Sequence, residues 1–294
     1  MTLRHMKIFL CVCDENNMTR AAAILHMTQP SVSLAIQELE DHYGVRLFER
    51  LGRRLFITDA GRRLQTYTRH IIRLNQQVEE SMRAVSGLYR LRIGASVTIG
   101  ESILVDLLQY MYETNPQQEI FSEIHNTAEL EAMLLKDELD LALVEGEIQS
   151  DYLVAEAFMK DELVFIAAPH SRLLEQKQIA KEDLSQIPFF VREAGSGTRN
   201  LFEQVMQANK IKFQVTGVYN NAESIKKAVG AGLGFSAISW RAVRGEVLRG
   251  ELVRFDVADI EFKRKFSLVY HKNKYIPPAL QTVIELCRKI EGIL

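Results

Sequence analysis

The sequence predicts an α/β protein in three parts: an N-terminal winged helix-turn-helix, a long linker helix and a large α/β module. Three observations predict it. Met18 to Gly61 holds two short helical patterns followed by an apolar–basic–apolar hairpin. From Asp59 onward, apolar residues recur at alternating spacings of 3 and 4, the mark of a helical seam. From Leu91, short β-like runs alternate with helical ones, the texture of an α/β fold with mostly parallel sheets.

Thr2 can cap a first helix to about Asn16, with Leu3, Met6, Phe9, Leu10 and Cys13 on one face. A second helix begins at Met18 or Thr19 and carries Ala22, Ala23, Ile24 and Leu25. A third has Thr28 as N-cap, Pro30 in its first turn, and Val32, Ala35, Ile36 and Leu39 at helical spacing; Gly44 stops it. Gln29, Ser31 and Ser33 then lie near the exposed start of this helix. Short polar side chains there suit a helix entering a major groove, where they reach base edges and phosphates. Leu47 and Phe48, a Glu49–Arg54 turn, and Leu55, Phe56 and Ile57 read as a wing with Arg50, Arg53 and Arg54 at its tip, placed to neutralise phosphates. The alternative is a helical hairpin with a solvated basic turn.

Thr58 and Asp59 offer the N-cap of a long helix reaching Ser86 or Gly87. Leu64, Tyr67, Ile71, Leu74 and Val78 form its seam, which continues through Ser81 to Val85. At 1.5 Å per residue such a helix spans about 40 Å, too long to stand alone. It packs on its own domain or on a second subunit. The second reading is preferred, because one helix-turn-helix reads few base pairs and a dimer reads two half-sites.

In the remaining module, four junctions have hydroxyl or amide side chains between a strand and a helix, where open α/β folds bind ligands. The first runs from Ala95 to Glu101. Thr98 and Glu101 make a T-x-x-E capping box there, which leaves Ser96 freer to face a ligand. The second is His125-Asn126-Thr127. The third is Gly195-Ser196-Gly197-Thr198, whose glycines allow close folding and whose hydroxyls add donors for a carboxylate, sulfate or phosphate. The fourth is Tyr219-Asn220-Asn221. Each alone is more often a plain helix cap than a site; several converging on one cleft would be a site. Periodicity leaves open whether the module is one sheet or two lobes.

Composition bounds the rest. With 47% hydrophobic and 25% charged residues, 294 residues suffice for two or three soluble modules. No run of eighteen apolar residues and no signal-peptide pattern occurs, so a cytoplasmic protein without membrane association is expected. Residues 1–90 carry a net charge of +4 and the remainder -6, which puts the basic part on the helix-turn-helix. Cys11, Cys13 and Cys287 make no disulfide framework and read as buried thiols. No P-loop, H-E-x-x-H or Cys/His cluster is present, and Gly195-Ser196-Gly197 is not a G-x-S-x-G elbow. No catalysis, metal or cofactor is therefore expected.

The wording T-R-A-A-A-x-L-H-M-T-Q-P-S-V-S, then L-E-D-H-Y-G-V-R-L-F-E-R and T-D-A-G, resembles the winged helix-turn-helix of LysR-type transcriptional regulators over about sixty residues. One position departs from it. The family often has Arg after the second serine of the recognition helix, where this chain has Leu34. If that Arg grips a phosphate, this chain lacks one such contact. The resemblance implies a sequence-specific DNA-binding regulator that meets operator DNA, RNA polymerase and further copies of itself as a homodimer or homotetramer. It implies residues 1–58 as the DNA-binding domain, 59–89 as the dimerisation helix and 90–294 as an effector domain resembling a periplasmic binding protein. Lobe I would comprise 90–163 and 267–294, and lobe II 164–266, with crossovers near Glu162–Val164 and Lys265–Ser267. A small, anionic effector is implied in the interlobe cleft, at Ser96, Thr98, Asn126, Thr127, Ser196 and Thr198.

Overall fold

The computed structural model describes residues 1–51, 54–83, 90–176 and 178–290, which divide into two compact units. The first begins with α1 (Leu3–Glu15), α2 (Met18–Ile24) and α3 (Gln29–Tyr43). The Thr2 hydroxyl accepts from the His5 amide, and the His5 ring answers at the Thr2 amide, so α1 starts on a reciprocal cap. Helix α2 starts at Met18, one of the two starts read from the sequence, on the N-cap Asn17, whose Oδ1 accepts from the amides of Thr19 and Arg20 at 2.8 and 3.0 Å. Gly44, at φ +67°, ends α3 in the left-handed region. Strands β1 (Phe48–Leu51) and β2 (Arg54–Ile57) pair antiparallel as the wing. The core joins Ile8, Phe9 and Val12 of α1 to Ala21, Val32, Ile36, Leu39, Leu47 and Phe48. Leu3, expected on the buried face of α1, is instead exposed, because the stripe that packs is Met6, Phe9 and Cys13 with Ile8 and Val12.

Helix α4 (Asp59–Arg83) follows. Its seam divides. Leu64, half-buried, packs against the winged-helix core. Tyr67, Ile71, Leu74 and Val78 keep large exposed areas. The continuation at Val85 lies outside the described residues, as does Arg53; the side chains of Arg50, Arg54 and Ser81 also do.

The second unit opens with β3 (Leu91–Ser96), α5 (Val97–Ser102), α6 (Leu104–Thr114), β4 (Ile120–His125), α7 (Thr127–Leu135) and β5 (Leu141–Val144). These strands lie parallel in the order β4-β3-β5. Strand β6 (Leu153–Ala167) leads into β7 (Pro188–Arg192), α8 (Gly197–Ala208), β8 (Gln214–Tyr219), α9 (Ala222–Gly230), β9 (Ser236–Ser239), α10 (Trp240–Leu248) and β10 (Val253–Phe255). Strand β11 (Phe262–His271) returns, and α11 (Pro278–Ile290) closes the described chain. The expectation of mostly parallel sheets needs correction. Strand β11 runs antiparallel to both β5 and β6, and β9 and β10 are antiparallel to β6.

Two hydrophobic cores make two lobes. Leu91, Ile93, Leu107, Phe266, Leu268, Leu280 and Val283 belong to one, so α11 packs on the first lobe. Leu163, Phe165, Phe189, Phe202, Phe255 and Phe262 belong to the other, with aromatic ring centroids 5.1–6.2 Å apart. Strands β6 and β11 feed both cores: Phe158, Met159, Phe266 and Leu268 face the first, Leu163 and Phe262 the second. The chain therefore changes lobes at residues 160–162 and 263–265, slightly before the positions read from the sequence. Strand β6 starts well before that point, and the two strands cross between the cores through their charged residues, Lys160-Asp161-Glu162 and Lys263-Arg264-Lys265.

Below the cleft, Asp140 is wholly buried between Arg92 Nη2 at 2.8 Å and Lys274 Nζ at 2.7 Å. Burial alone would push its carboxyl up, but the bonds and charges of Arg92 and Lys274 outweigh it and hold it at about 2. Burial pushes the Cys13 and Cys287 thiols up to about 12, as befits inert core cysteines.

Candidate functional site

The start of α3 presents Thr28, Pro30 and Ser31 to solvent, while Gln29 and Ser33 are half-buried. Thr28 and Ser31 also engage each other, their hydroxyls 2.8 Å apart, which leaves each with less freedom to reach a base. Ser33 turns towards the wing and, with Gln37, Phe48, Glu49 and Leu55, lines the groove between α3 and the hairpin. The next exposed residue along the α3 face is Leu34, 56% exposed. One fixing residue was not found from sequence. Glu40 is buried, and its carboxylate accepts from the Leu47 and Phe48 amides at 2.8 and 3.2 Å and from Arg46 Nη1 at 2.8 Å. It ties the end of α3 to the first strand of the wing.

In the second unit, the first three strand–helix junctions converge between the lobes. Ser96, Thr98, Thr127, Ser196 and Thr198 are all buried. Ser96 and Ser196 occupy the N-cap positions of α5 and α8, yet neither hydroxyl caps its helix. The hydroxyls of Ser96, Thr127 and Ser196 have no hydrogen-bond partner. A buried polar atom left so costs about 1–3 kcal/mol. The fourth junction is different: Asn221 is spent on the Ser224 amide at 2.8 Å.

Two roles assigned from sequence change. Thr98 does not cap with Glu101; it lies inside α5, and its hydroxyl donates to Glu145 Oε1 at 3.1 Å. Asn126 accepts from the Glu129 amide at 3.0 Å, and Glu129 reaches back to the Asn126 amide at 3.4 Å. Asn126 is thus the cap of α7, committed to its own helix. Gly195, at φ +87°, takes a left-handed turn, and its carbonyl accepts from the Ala128 amide of the other lobe at 3.2 Å. Gly197 lies against Gly146; a Cβ on Gly197 would stand 2.8 Å from the Gly146 backbone. The two loops touch.

The charges of the cleft come from residues that the junction search passed over. Glu145, the residue after β5, is a buried acid. Burial pushes its carboxyl above the usual range, against the opposing pull of Arg264, Arg192 and the Thr98 hydroxyl. Arg264 Nε pairs with Asp161 Oδ2 at 2.7 Å, Arg264 Nη1 donates to Thr198 Oγ1 at 2.9 Å, and Arg264 Nη2 is buried without a partner. Ser239 Oγ donates to Asp161 Oδ1 at 2.8 Å. Arg192, almost wholly buried, is engaged by Glu193 at 2.8 and 2.9 Å. Each had a signal in the sequence: Glu145 is the lone charge closing the run LALV, and Arg264 is the middle of Lys-Arg-Lys.

A winged helix-turn-helix followed by a two-lobed module with a polar interlobe cleft defines a ligand-responsive DNA-binding class of protein. Residues 3–62 match the bacterial regulatory helix-turn-helix protein, lysR family, and residues 87–290 match the LysR substrate binding domain. The chain belongs to the LysR-type transcriptional regulator family. It is 32% identical to the uncharacterized HTH-type transcriptional regulator YeiE of Escherichia coli (strain K12), over 98% of this chain and 97% of that one. It is 32% identical to the RuBisCO operon transcriptional regulator of Allochromatium vinosum, over 95% and 93%. Its fold resembles the regulatory domain of Synechocystis PCC6803 CcmR in complex with 2-PG, with a TM-score of 0.64 at 24% identity, covering 69% of this chain and 97% of that one. No helix among the described residues is long and apolar enough to cross a membrane.

Proposed function

We propose that this regulator binds operator DNA sequence-specifically as a dimer, and that a small anionic effector in the interlobe cleft modulates that binding. Four unpartnered donors carry the effector reading: the hydroxyls of Ser96, Thr127 and Ser196, and Arg264 Nη2, all buried. An acceptor-rich ligand, a carboxylate or oxyanion, satisfies them. Thr198 and the backbone at Gly195 and Gly197 complete the lobe II side, and Thr98 and Asn126 hold the lobe I side in place. 2-PG, with which the similarly folded CcmR regulatory domain is in complex, is compatible with this chemistry.

Glu145 narrows the class. Its Oε2 is also buried and unpartnered. An anion fits best if it presents a hydroxyl or another donor to Glu145, or if Glu145 itself carries a proton and donates. On the DNA side, Gln29, Ser31 and Leu34 face base edges, with Thr28, Pro30 and Ser33 shaping the entry of the helix and Arg50, Arg53 and Arg54 meeting phosphates. Tyr67, Ile71, Leu74 and Val78 form the dimer seam of α4.

Calorimetry of the full-length protein against small carboxylates, hydroxycarboxylates and oxyanions tests the effector reading, with operator footprinting of every binder. At least one anion should bind, bind about tenfold more weakly to Ser196→Ala, and change the footprint. If every binder is indifferent to Ser196→Ala and Arg264→Lys, the cleft is not the effector site.

A further inference from the structure

In the last turn of α3, Glu40 is buried where the helix dipole disfavours negative charge. Burying a charge is costly unless it is paired and hydrogen-bonded. Glu40 meets that condition through a different element, the chain that opens the wing. Its Oε1 accepts from the Leu47 and Phe48 amides at 2.8 and 3.2 Å, and its Oε2 from Arg46 Nη1 at 2.8 Å. The charge therefore serves the hairpin rather than the helix that carries it.

The far end of the hairpin is tied to the same stretch. Thr58, which follows β2, donates from its amide to the Leu47 carbonyl at 3.0 Å and from its hydroxyl to the Arg46 carbonyl at 2.7 Å. That hydroxyl also accepts from the Gly61 amide at 3.0 Å, in the first turn of α4. A Cβ on Gly61 would stand 2.3 Å from the Leu47 carbonyl oxygen, so glycine lets α4 approach this closely. The backbone of residues 46–48 is thus gripped by the end of α3 on one side and the start of α4 on the other. Leu47, Phe48, Leu55 and Ile57 pack on the winged-helix core and hold the hairpin down. Apolar packing has no direction, whereas hydrogen bonds do. The hairpin is four residue pairs long and marginal by itself. Its angle to α3 is set at its root.

We infer that Glu40 and Thr58 are positioning residues for DNA binding. They act through the wing without touching DNA, fixing its angle to α3 so that its basic tip reaches phosphates while the start of α3 lies in the groove. This role rests on the reading of the wing as a phosphate-binding element.

The test is fluorescence anisotropy of the full-length protein at several salt concentrations, with an operator duplex that the wild type selects from a randomised pool. Glu40→Gln keeps an oxygen for the two amides but turns its NH2 toward the Arg46 guanidinium, donor against donor. Thr58→Val keeps the shape and removes the hydroxyl. Each should bind the operator several-fold more weakly, with a salt slope shallower by about one, the loss of one phosphate contact. Arg54→Ala, at the tip of the wing opposite Leu51, should do the same. Combining it with Glu40→Gln should add little, because a misdirected wing has already lost that contact. Ile8→Val, a mild truncation of a buried α1 residue, should lower the melting temperature and leave the salt slope alone. Melting curves establish folding, and Thr58→Val carries the test if Glu40→Gln does not fold. An unchanged slope in Arg54→Ala overturns the phosphate reading of the wing, and the positioning role with it. If Arg54→Ala lowers the slope but a folded Glu40→Gln or Thr58→Val protein keeps the wild-type value, the wing reading stands and that residue has no positioning role. Full additivity in the double variant, or an equal slope change in Ile8→Val, also overturns the role.

Discussion

Arg264 Nη1 donates to Thr198 Oγ1 at 2.9 Å while its Nε is paired with Asp161 at 2.7 Å. One guanidinium on a lobe-crossing strand thereby reaches the first turn of α8, in the glycine-bearing loop of lobe II. The same Thr198 hydroxyl lies 3.5 Å from that of Thr98, which donates to Glu145. A chain of polar groups thus runs from Glu145, just past β5, to Asp161 and Ser239.

Breaking the ion pair of this chain should be costly. Asp161 and Arg264 side chains are 1% and 5% exposed, and removing one partner of such a pair costs about 3–5 kcal/mol. Asp161→Ala should lose about that much stability in urea unfolding. Asp161→Leu/Arg264→Met should recover most of it, because neither charge is left alone, but should abolish effector binding. If Asp161→Ala unfolds at the wild-type urea midpoint, the pair does not hold the lobe junction together.

Glu145 gives a pH signature. Its folded carboxyl titrates above the ordinary value of 4.5 because burial disfavours the charge. The folded state therefore holds its proton more tightly than the unfolded state. That contribution is fully present below the unfolded value and is lost as pH rises through the folded one. Glu145→Gln keeps an acceptor for Thr98 and removes the titration. The melting temperature of the variant should match wild type near pH 4 and exceed it increasingly as pH rises. Equal melting at pH 8 would show that the carboxyl ionises without penalty.

On the DNA face, Gln29→Ala should lower discrimination between operator and random DNA by about 1–3 kcal/mol if Gln29 reads a base edge. Arg53→Ala should weaken both about equally and lower the salt slope by about one. Leu34→Arg should do the reverse, raising affinity for random DNA and steepening the salt slope by about one, since it adds a phosphate contact. Fluorescence anisotropy at several salt concentrations reads all three. A Gln29→Ala protein with an unchanged specific-to-random ratio would place base reading elsewhere on α3.

For the linker helix, Ile71→Asp should dissociate the dimer and remove operator binding, because a carboxylate in an apolar seam is desolvated without a partner. Leu64→Ala should act differently. Leu64 packs in the winged-helix core, so its truncation should cost about 2–5 kcal/mol of head stability and leave dimer mass unchanged. Sedimentation and thermal melting separate the two. An Ile71→Asp variant of dimer mass would mean that the seam is not a subunit interface.

The sequence by itself determined the elements whose signals are local. Thr28, Pro30 and Gly44 bound α3, since caps and stops act within one turn. Three of the four strand–helix junctions that it marked converge between the lobes. Tertiary structure decided which polar groups are spent and which are left over. Asn126 is consumed as a cap and Thr98 by Glu145, while Ser96, Thr127 and Ser196 are buried without partners. It also brought Glu145 and Arg264, far apart in the chain, to one cleft, and turned Leu64 into its own domain. Periodicity records which face of an element is apolar; it does not record what that face meets. Burial and pairing depend on residues a hundred positions away, and only the packed chain sets them.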